Sequence, residues 1–454
     1  MEPFDLAGLS ARLDEVMPGV RTDLEELVGI PSISADGFDP AEVRRSAEAT
    51  LRLLSGMGLD ARLLEVEGGH PAVFGSVEGP NGAPTVLLYA HHDVQPTGPL
   101  ELWSSAPFDP EERDGRLYGR GVADDKAGVM AHVAALRAWE GRPPVSVKVI
   151  VEGEEEIGSE HLTDFLSENR ELLRADAVIL ADGSNWRIGW PALTTSLRGL
   201  VDCEFEVRVL DHAVHSGMYG GPIPDAVTVL ARTLATLHDD AGNVAVAGLT
   251  SASADPLDLT EEELRADAGV RPSVRLIGEG GLTERLWTRP AVSVLGIDAP
   301  RIDEAANQLV PSAAAKVSLR VAPGEVAQRA MDALMKHLEA NVPWGAEVRV
   351  TPGSTGEPYL VRAEGLAFDT LRRALGEAWG RAPVEVGTGG TIPFVAAFAE
   401  AFPSAALLLT GVEDPMSNAH SENESLHLGE FRKACLAEAL FLGYLAERGP
   451  MDPT

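Results

Sequence analysis

The chain has 454 residues, more than a single hydrophobic core usually serves, so two domains are expected. Hydrophobic residues at 44% and charged residues at 24% mark a soluble globular protein, and no apolar run is long enough for a membrane span. Asp and Glu outnumber Lys and Arg by 70 to 37, and the resulting net charge of −33 argues against nucleic acid or anionic membrane as partners.

The first residues, MEPFDLAGLSARLDEV, have neither a basic start nor an apolar segment. No secretory leader is expected, and the cytoplasm is the expected location. Residues 6 to 54 show apolar spacing near 3.6 and predict helices, broken at Gly29-Ile30-Pro31-Ser32. The next informative stretch is TVLLYAHHDV, Thr85 to Val94. Its unbroken apolar run suits a strand buried on both faces of a parallel sheet, and it ends in His91, His92 and Asp93. Ligands of open α/β sheets bind outside such strand ends.

GRGVADDKAG, Gly119 to Gly128, then leads into a helix, with Asp124 and Asp125 in the loop or first turn. A strand from Val145 to Val151 ends in EGEEEIG, and a run from Ala177 to Ala181 ends in Asp182-Gly183. Three buried strands thus deliver acids or imidazoles at their carboxyl ends, a βαβ layout building one site. From Leu193 the texture changes to strict alternation, as in Val201, Cys203, Phe205, Val207 and Val209, and again at 317–321 and 347–350. Period two predicts a sheet with one wet face, here an α+β domain with helices over 225–237 and 326–338. Residues 239–298 read as an irregular excursion, and Gly353-Ser354-Thr355-Gly356 as a turn. A helix from about Glu364, a strand Ala405 to Leu409 and a helix Phe431 to Leu445 restore the first texture. The expected architecture is therefore α/β, a mixed and mostly parallel sheet flanked by helices, formed by residues 1–192 and 358–454. An α+β domain is inserted at 193–357.

Cys203 and Cys435 are the only cysteines, too few for a thiolate metal site. Any metal must be held by His, Asp and Glu. The strand-end groups are His91, Asp93, Asp124, Glu155, Glu156 and Asp182, joined by His420 in TGVEDPMSNAHSENE. Two imidazoles with several carboxylates suit zinc or another divalent first-row ion, and so many acids suit two ions sharing one carboxylate. Spacing alone leaves the register within Glu154-Glu155-Glu156 open.

YAHHDVQP, GRGVADDKAG, EGEEEIGS, LADG and NAHSENE resemble, in order, the motifs of the aminoacylase/carnosinase-type dinuclear zinc metallopeptidases. The resemblance covers nearly the whole chain and implies a zinc-exopeptidase-like fold whose insert is a lid and dimerisation domain. It implies His91 and Asp182 on one ion, Glu156 and His420 on the other, and Asp124 bridging them. Asp93 would orient His91 and Glu155 would be the general base, because the family pattern Glu-Glu-x-Gly falls on Glu155-Glu156-Ile157-Gly158. His215, in AVHSGMYGG, would reach the partner subunit's site and stabilise the oxyanion, so a homodimer is implied. Arg320 and the loop Gly389-Gly390-Thr391 would contact the substrate's carboxylate end, and Asn307 would contact the substrate. The cofactors implied are two Zn²⁺ ions, with Mn²⁺ or Co²⁺ as alternatives. His92 stands in place of a tyrosine, Ala213-Val214 in place of an acidic-hydrophobic pair, Gly387 in place of an arginine and Thr391 in place of serine. These departures bear on substrate preference. Asp-Val-Gln-Pro at 93–96 resembles the dipeptidase branch, so dipeptides are the expected substrates and N-acyl amino acids the alternative.

Overall fold

The computed structural model describes residues 5–255, 257–390 and 392–448, so Thr391 lies outside the described residues. The chain divides into two compact units, one of residues 1–195, 362–386 and 392–454, the other of 196–361 and 387–391. Among the described residues no helix is long and apolar enough to cross a membrane.

The first unit is built on a mixed sheet. Its strands include β1 (Asp60–Leu64), β2 (Ala72–Val77), β3 (Thr85–His91), β4 (Ser146–Glu152), β5 (Ala177–Leu180), β6 (Ala192–Leu197) and β7 (Ala406–Leu409). In space they run β1–β2–β4–β3–β5–β7–β6. The middle four are parallel, while β1, β2 and β6 pair antiparallel at the flanks. The apolar runs account for the middle: every residue of Val86–Ala90 is 0% exposed, as a strand covered on both faces must be. Helix Lys126–Ala138 packs against helices Leu6–Val28 and Leu428–Arg448. It is buried along almost its whole length, so Ala, Gly and Val fill positions where larger side chains would not fit.

The second unit is α+β. Four antiparallel strands lie in the order Ala291–Asp298, Ser312–Val321, Gly199–Arg208, Glu347–Gly356. Val201, Cys203, Phe205 and Val207 turn inward with Val317 and Leu319 onto Leu334 and Leu338 of helix Ala327–Ala340. Two readings of the sequence are corrected here. Residues 239–298 are not wholly irregular, because they contain helices Glu261–Asp267 and Leu282–Trp287 and the edge strand Ala291–Asp298. The Gly353–Gly356 stretch is not a turn but the end of a strand, whose register shifts between Pro352 and Thr355.

Candidate metal centre

The register of the parallel strands puts their carboxyl ends level. His91 pairs with Glu152, Tyr89 with Leu180, and Leu409 with Leu180. The polar segments that follow β3, β4, β5 and β7 therefore emerge together. Asp124 arrives separately, on the loop before helix Lys126–Ala138. The next residue, Asp125, caps that helix by accepting from Gly128 N at 3.1 Å, and its other oxygen accepts from His91 N at 3.2 Å. One side chain thus fixes the helix start to the end of β3. A small antiparallel sheet pairs Ser425–His427 with Arg116–Tyr118, setting the loop that carries His420 beside the loop that carries Asp124.

Asp124 Oδ1 lies 3.0 Å from His91 Nε2, and Oδ2 lies 2.9 Å from His420 Nε2. His420 Nε2 is also 3.1 Å from Glu156 Oε2. Two groups of potential ligand atoms result, each within 4.8 Å: His91, Asp124 and Asp182, and Asp124, Glu156 and His420. Asp124 belongs to both. The His91 ring is fully buried, whereas the His420 side chain is 59% exposed, so the cluster opens to solvent on the His420 side. Asp93 sits behind His91, whose Nδ1 is 3.2 Å from the Asp93 carbonyl and 3.4 Å from carboxylate Oδ1. Asp93 Oδ2 accepts from Ser34 Oγ at 2.7 Å and Glu156 N at 3.1 Å, tying the imidazole to the turn that bears Glu155 and Glu156.

The electrostatics are those of acids outnumbering bases in a dry place. Burial pushes the Asp182 carboxyl up to about 7, with the Asp124 charge adding to it. Burial, then the Asp182 charge, raises Glu155 well above the carboxylate range, and burial with Asp124 raises Glu156. Burial works against protonated His91, but the Asp124 and Asp93 carboxylates on either side of the ring outweigh it and raise the imidazole. The carboxylates of Asp124 and Glu156 beside its Nε2 push His420 up to about 11. Glu156 Oε2 and Asp93 Oδ1 are buried and accept no hydrogen bond; Glu156 Oε2 meets His420 Nε2 at contact distance but in poor hydrogen-bond geometry. A surplus of crowded carboxylates with free lone pairs, two imidazoles and no thiol fits divalent cations.

The other candidates lie in the second unit. Val214–His215 pairs with Gln308–Leu309, and Ser216 N donates to the Asn307 carbonyl at 3.1 Å, so His215 and Asn307 are neighbours. His215 is exposed, and its Nδ1 accepts from Gly217 N at 3.0 Å. The neutral ring then carries its proton on Nε2, a free donor. Arg320 is half-buried and makes no ion pair among the described residues. A Cβ at Gly389 would lie 2.7 Å from Arg198 Nη2, while Gly390 is more open. Burial, then the like charge of Arg320, lowers the Arg198 guanidinium to about 10. His92 is a core residue, its Nε2 on the Pro71 carbonyl at 3.0 Å and its imidazole pulled down to about 4 by burial.

Four residues, three in the first unit and one in the second, escape a reading of the sequence. Glu413, held by Ser184 Oγ at 2.8 Å, is pushed up to about 8 by burial and the Asp124 charge. Arg198 has a buried Nε without a partner among the described residues. Arg120 and Glu424 form a buried ion pair of 2.7 Å under the Asp124 loop. Only the Arg-Gly and Ser-Glu-Asn-Glu motifs in which the last two stand gave any signal.

The profile of peptidase family M20/M25/M40 matches residues 87–442. The cysteinylglycine-S-conjugate dipeptidase of Corynebacterium striatum is 36% identical over 398 residues, spanning 86% of this chain and 87% of its own. The β-Ala-His dipeptidase of Homo sapiens is 27% identical over 80% of this chain and 75% of its own. Among solved structures, human carnosine dipeptidase 1 superposes with a TM-score of 0.82 at 25% identity, covering 98% of this chain and 99% of that one. The dipeptidase Dug1p of Saccharomyces cerevisiae shares the fold at the same TM-score of 0.82 with 24% identity, again over 98% and 99%.

Proposed function

This chain belongs to peptidase family M20/M25/M40, and from that membership we propose that it hydrolyses the amide bond of dipeptides at a pair of divalent cations. Zinc suits the donor set, with manganese or cobalt as alternatives. The observation that carries this reading is Asp124, whose two oxygens face two imidazoles, each with a further carboxylate beside it. His91 and Asp182 would hold one ion, Glu156 and His420 the other, and Asp124 both. Bound there, the pair supplies Lewis acidity and draws the pKa of a water towards neutrality. Glu155 takes a proton from the attacking water and returns it to the departing amine. Asp93 keeps the His91 ring aimed, as carboxylates behind ligating imidazoles do. His215, from the partner subunit, donates from Nε2 to the developing oxyanion. Arg320 holds the substrate's terminal carboxylate with the amides of Gly389 and Gly390, Arg198 adds a second cation there, and Asn307 contacts the substrate.

The homodimer this requires is supported by the edge strand Ala291–Asp298, where Val294, Leu295 and Ile297 are exposed at 44%, 59% and 55%. Such an edge is a natural seat for a second copy. A cytoplasmic location suits two buried cysteines that form no disulfide. The test is a panel of dipeptides, their C-terminal amides and N-acyl amino acids, run on protein loaded with each metal. Free dipeptides should turn over fastest. A preference for N-acyl amino acids would make the protein a deacylase, and absence of metal-dependent turnover of any amide would overturn the reading.

Metal uptake should depend on pH with a definite sign. In the metal-free protein burial raises the Asp182 carboxyl to about 7 and the neighbouring carboxylates raise His420 to about 11, so protons occupy ligand positions at neutral pH. Both protons must leave on binding, so affinity rises with pH, by about tenfold per unit for each proton released. Calorimetric titration with Zn²⁺ in buffers of different ionisation enthalpy should count more than one proton at pH 7, and a pH-independent affinity would contradict these protonation states.

A further inference from the structure

We infer that Glu424 is a positioning residue for the metal centre: through Arg120 and the backbone of residues 121–124 it locks Asp124 and His420 into one spacing. Its carboxylate is 0% exposed and fully engaged. Oε1 accepts from Ala123 N at 3.0 Å and from Asp124 N at 3.1 Å. Oε2 accepts from Gly121 N at 2.9 Å and from Arg120 Nη1 at 2.7 Å. The Glu424 carbonyl takes a further bond from Gly119 N at 3.0 Å. Five donors of one short loop therefore converge on a residue four positions after His420.

Arg120 extends the lock. Its Nη2 donates to the Ser421 carbonyl at 3.1 Å, next to His420, and to the Pro96 carbonyl at 3.2 Å, three residues after Asp93. The segments after β3, before helix Lys126–Ala138 and around His420 are thereby tied at one point. A buried ion pair of this kind stabilises little over an apolar substitute, since desolvation offsets the attraction. What it adds is geometry: a shared carboxylate must sit at a fixed distance from both imidazoles if each ion is to keep its ligands. The Asp124 peptide N–H, bonded to Glu424, sets that distance from the backbone side.

The inference rests on Asp124 being a metal ligand, and the experiment separates the two claims. Co²⁺ alone is titrated into metal-free wild type and Glu424→Gln, following the visible absorption of bound cobalt, with a thermal melt of each apo protein. The amide turns a donor either towards Gly121 N and Arg120 or towards Ala123 N and Asp124 N, and cannot serve all four side-chain bonds. Affinity should fall by roughly 10- to 100-fold in folded protein, as loss of outer partners of metal ligands does. Asp414→Asn is the control. It weakens the neighbouring buried pair of Asp414 with Arg116, 2.9 Å apart and with no hydrogen bond to residues 119–125 among the described residues, and should lower the melt but leave cobalt affinity unchanged. Wild type that takes up no cobalt overturns the ligand reading itself. Wild-type affinity in folded Glu424→Gln, or an equal loss in Asp414→Asn, overturns the positioning role. If Glu424→Gln does not fold, Arg120→Lys carries the same measurement, because lysine can pair with Glu424 but cannot also span to Pro96 and Ser421.

Discussion

Replacing Glu155 by Gln lowers kcat and kcat/KM together, by about 10²–10⁴-fold, while metal content stays at the wild-type level. The substitution keeps shape and removes only the ability to accept a proton. Glu155 stands on the turn Glu155–Ile157 directly after β4, beside Asp182, in surroundings that favour a protonated carboxyl. A base of that kind takes a proton readily once cations draw it from water, and delivers it readily to an amine. KM should change little, because the lost interaction belongs to the transition state. Metal analysis and steady-state kinetics on one preparation decide the matter. Near-wild-type turnover would remove Glu155 from its role, and a fall in metal content would move it into the ligand set.

The second large effect is complementation between two dead proteins. Asp124→Ala and His215→Ala chains, each inactive alone, regain activity when denatured together and refolded. In a random mixture half the dimers are hybrid, and each holds one site with intact ligands facing an intact His215. Recovery of about a quarter of wild-type turnover is therefore expected. The free Nε2 of His215, on an exposed segment whose Nδ1 is already satisfied, is what equips it to serve another chain. If size-exclusion chromatography shows hybrid dimers and no activity returns, His215 does not act across the interface.

Much of this fold is legible in the sequence because parallel strands covered on both faces must be apolar throughout. Val86–Ala90 and Ala177–Leu180 announce themselves, and the polar residues that follow them mark the sheet's working edge. What the sequence hides has two physical origins. Period-two reasoning fails at bulges: in Ala291–Asp298 the register jumps between Val294 and Gly296, leaving Leu295 as the extra residue. In Glu347–Gly356 the jump lies between Pro352 and Thr355, so the Gly-Ser pair that looks like a turn is a bulge within the strand. The second origin is tertiary. Glu424 closes the NAHSENE motif, and nothing local reveals that Arg120, about three hundred residues earlier, meets it in the dry interior. Asp124 lies between these cases: its loop is recognisable, but its sharing between two imidazoles depends on a partner made far later.

That sequence order has a consequence for biogenesis. The strand filling the gap between β5 and β6 is β7, and β7 and His420 both follow the second unit in the chain. More than two hundred residues separate Asp182 from His420. At translation speeds of 5–20 residues per second, the nascent polypeptide carries an open β5 edge and an incomplete ligand set for some ~10–50 s. On the proposed ligand set, cation loading is a late event, after the ribosome has delivered the last imidazole.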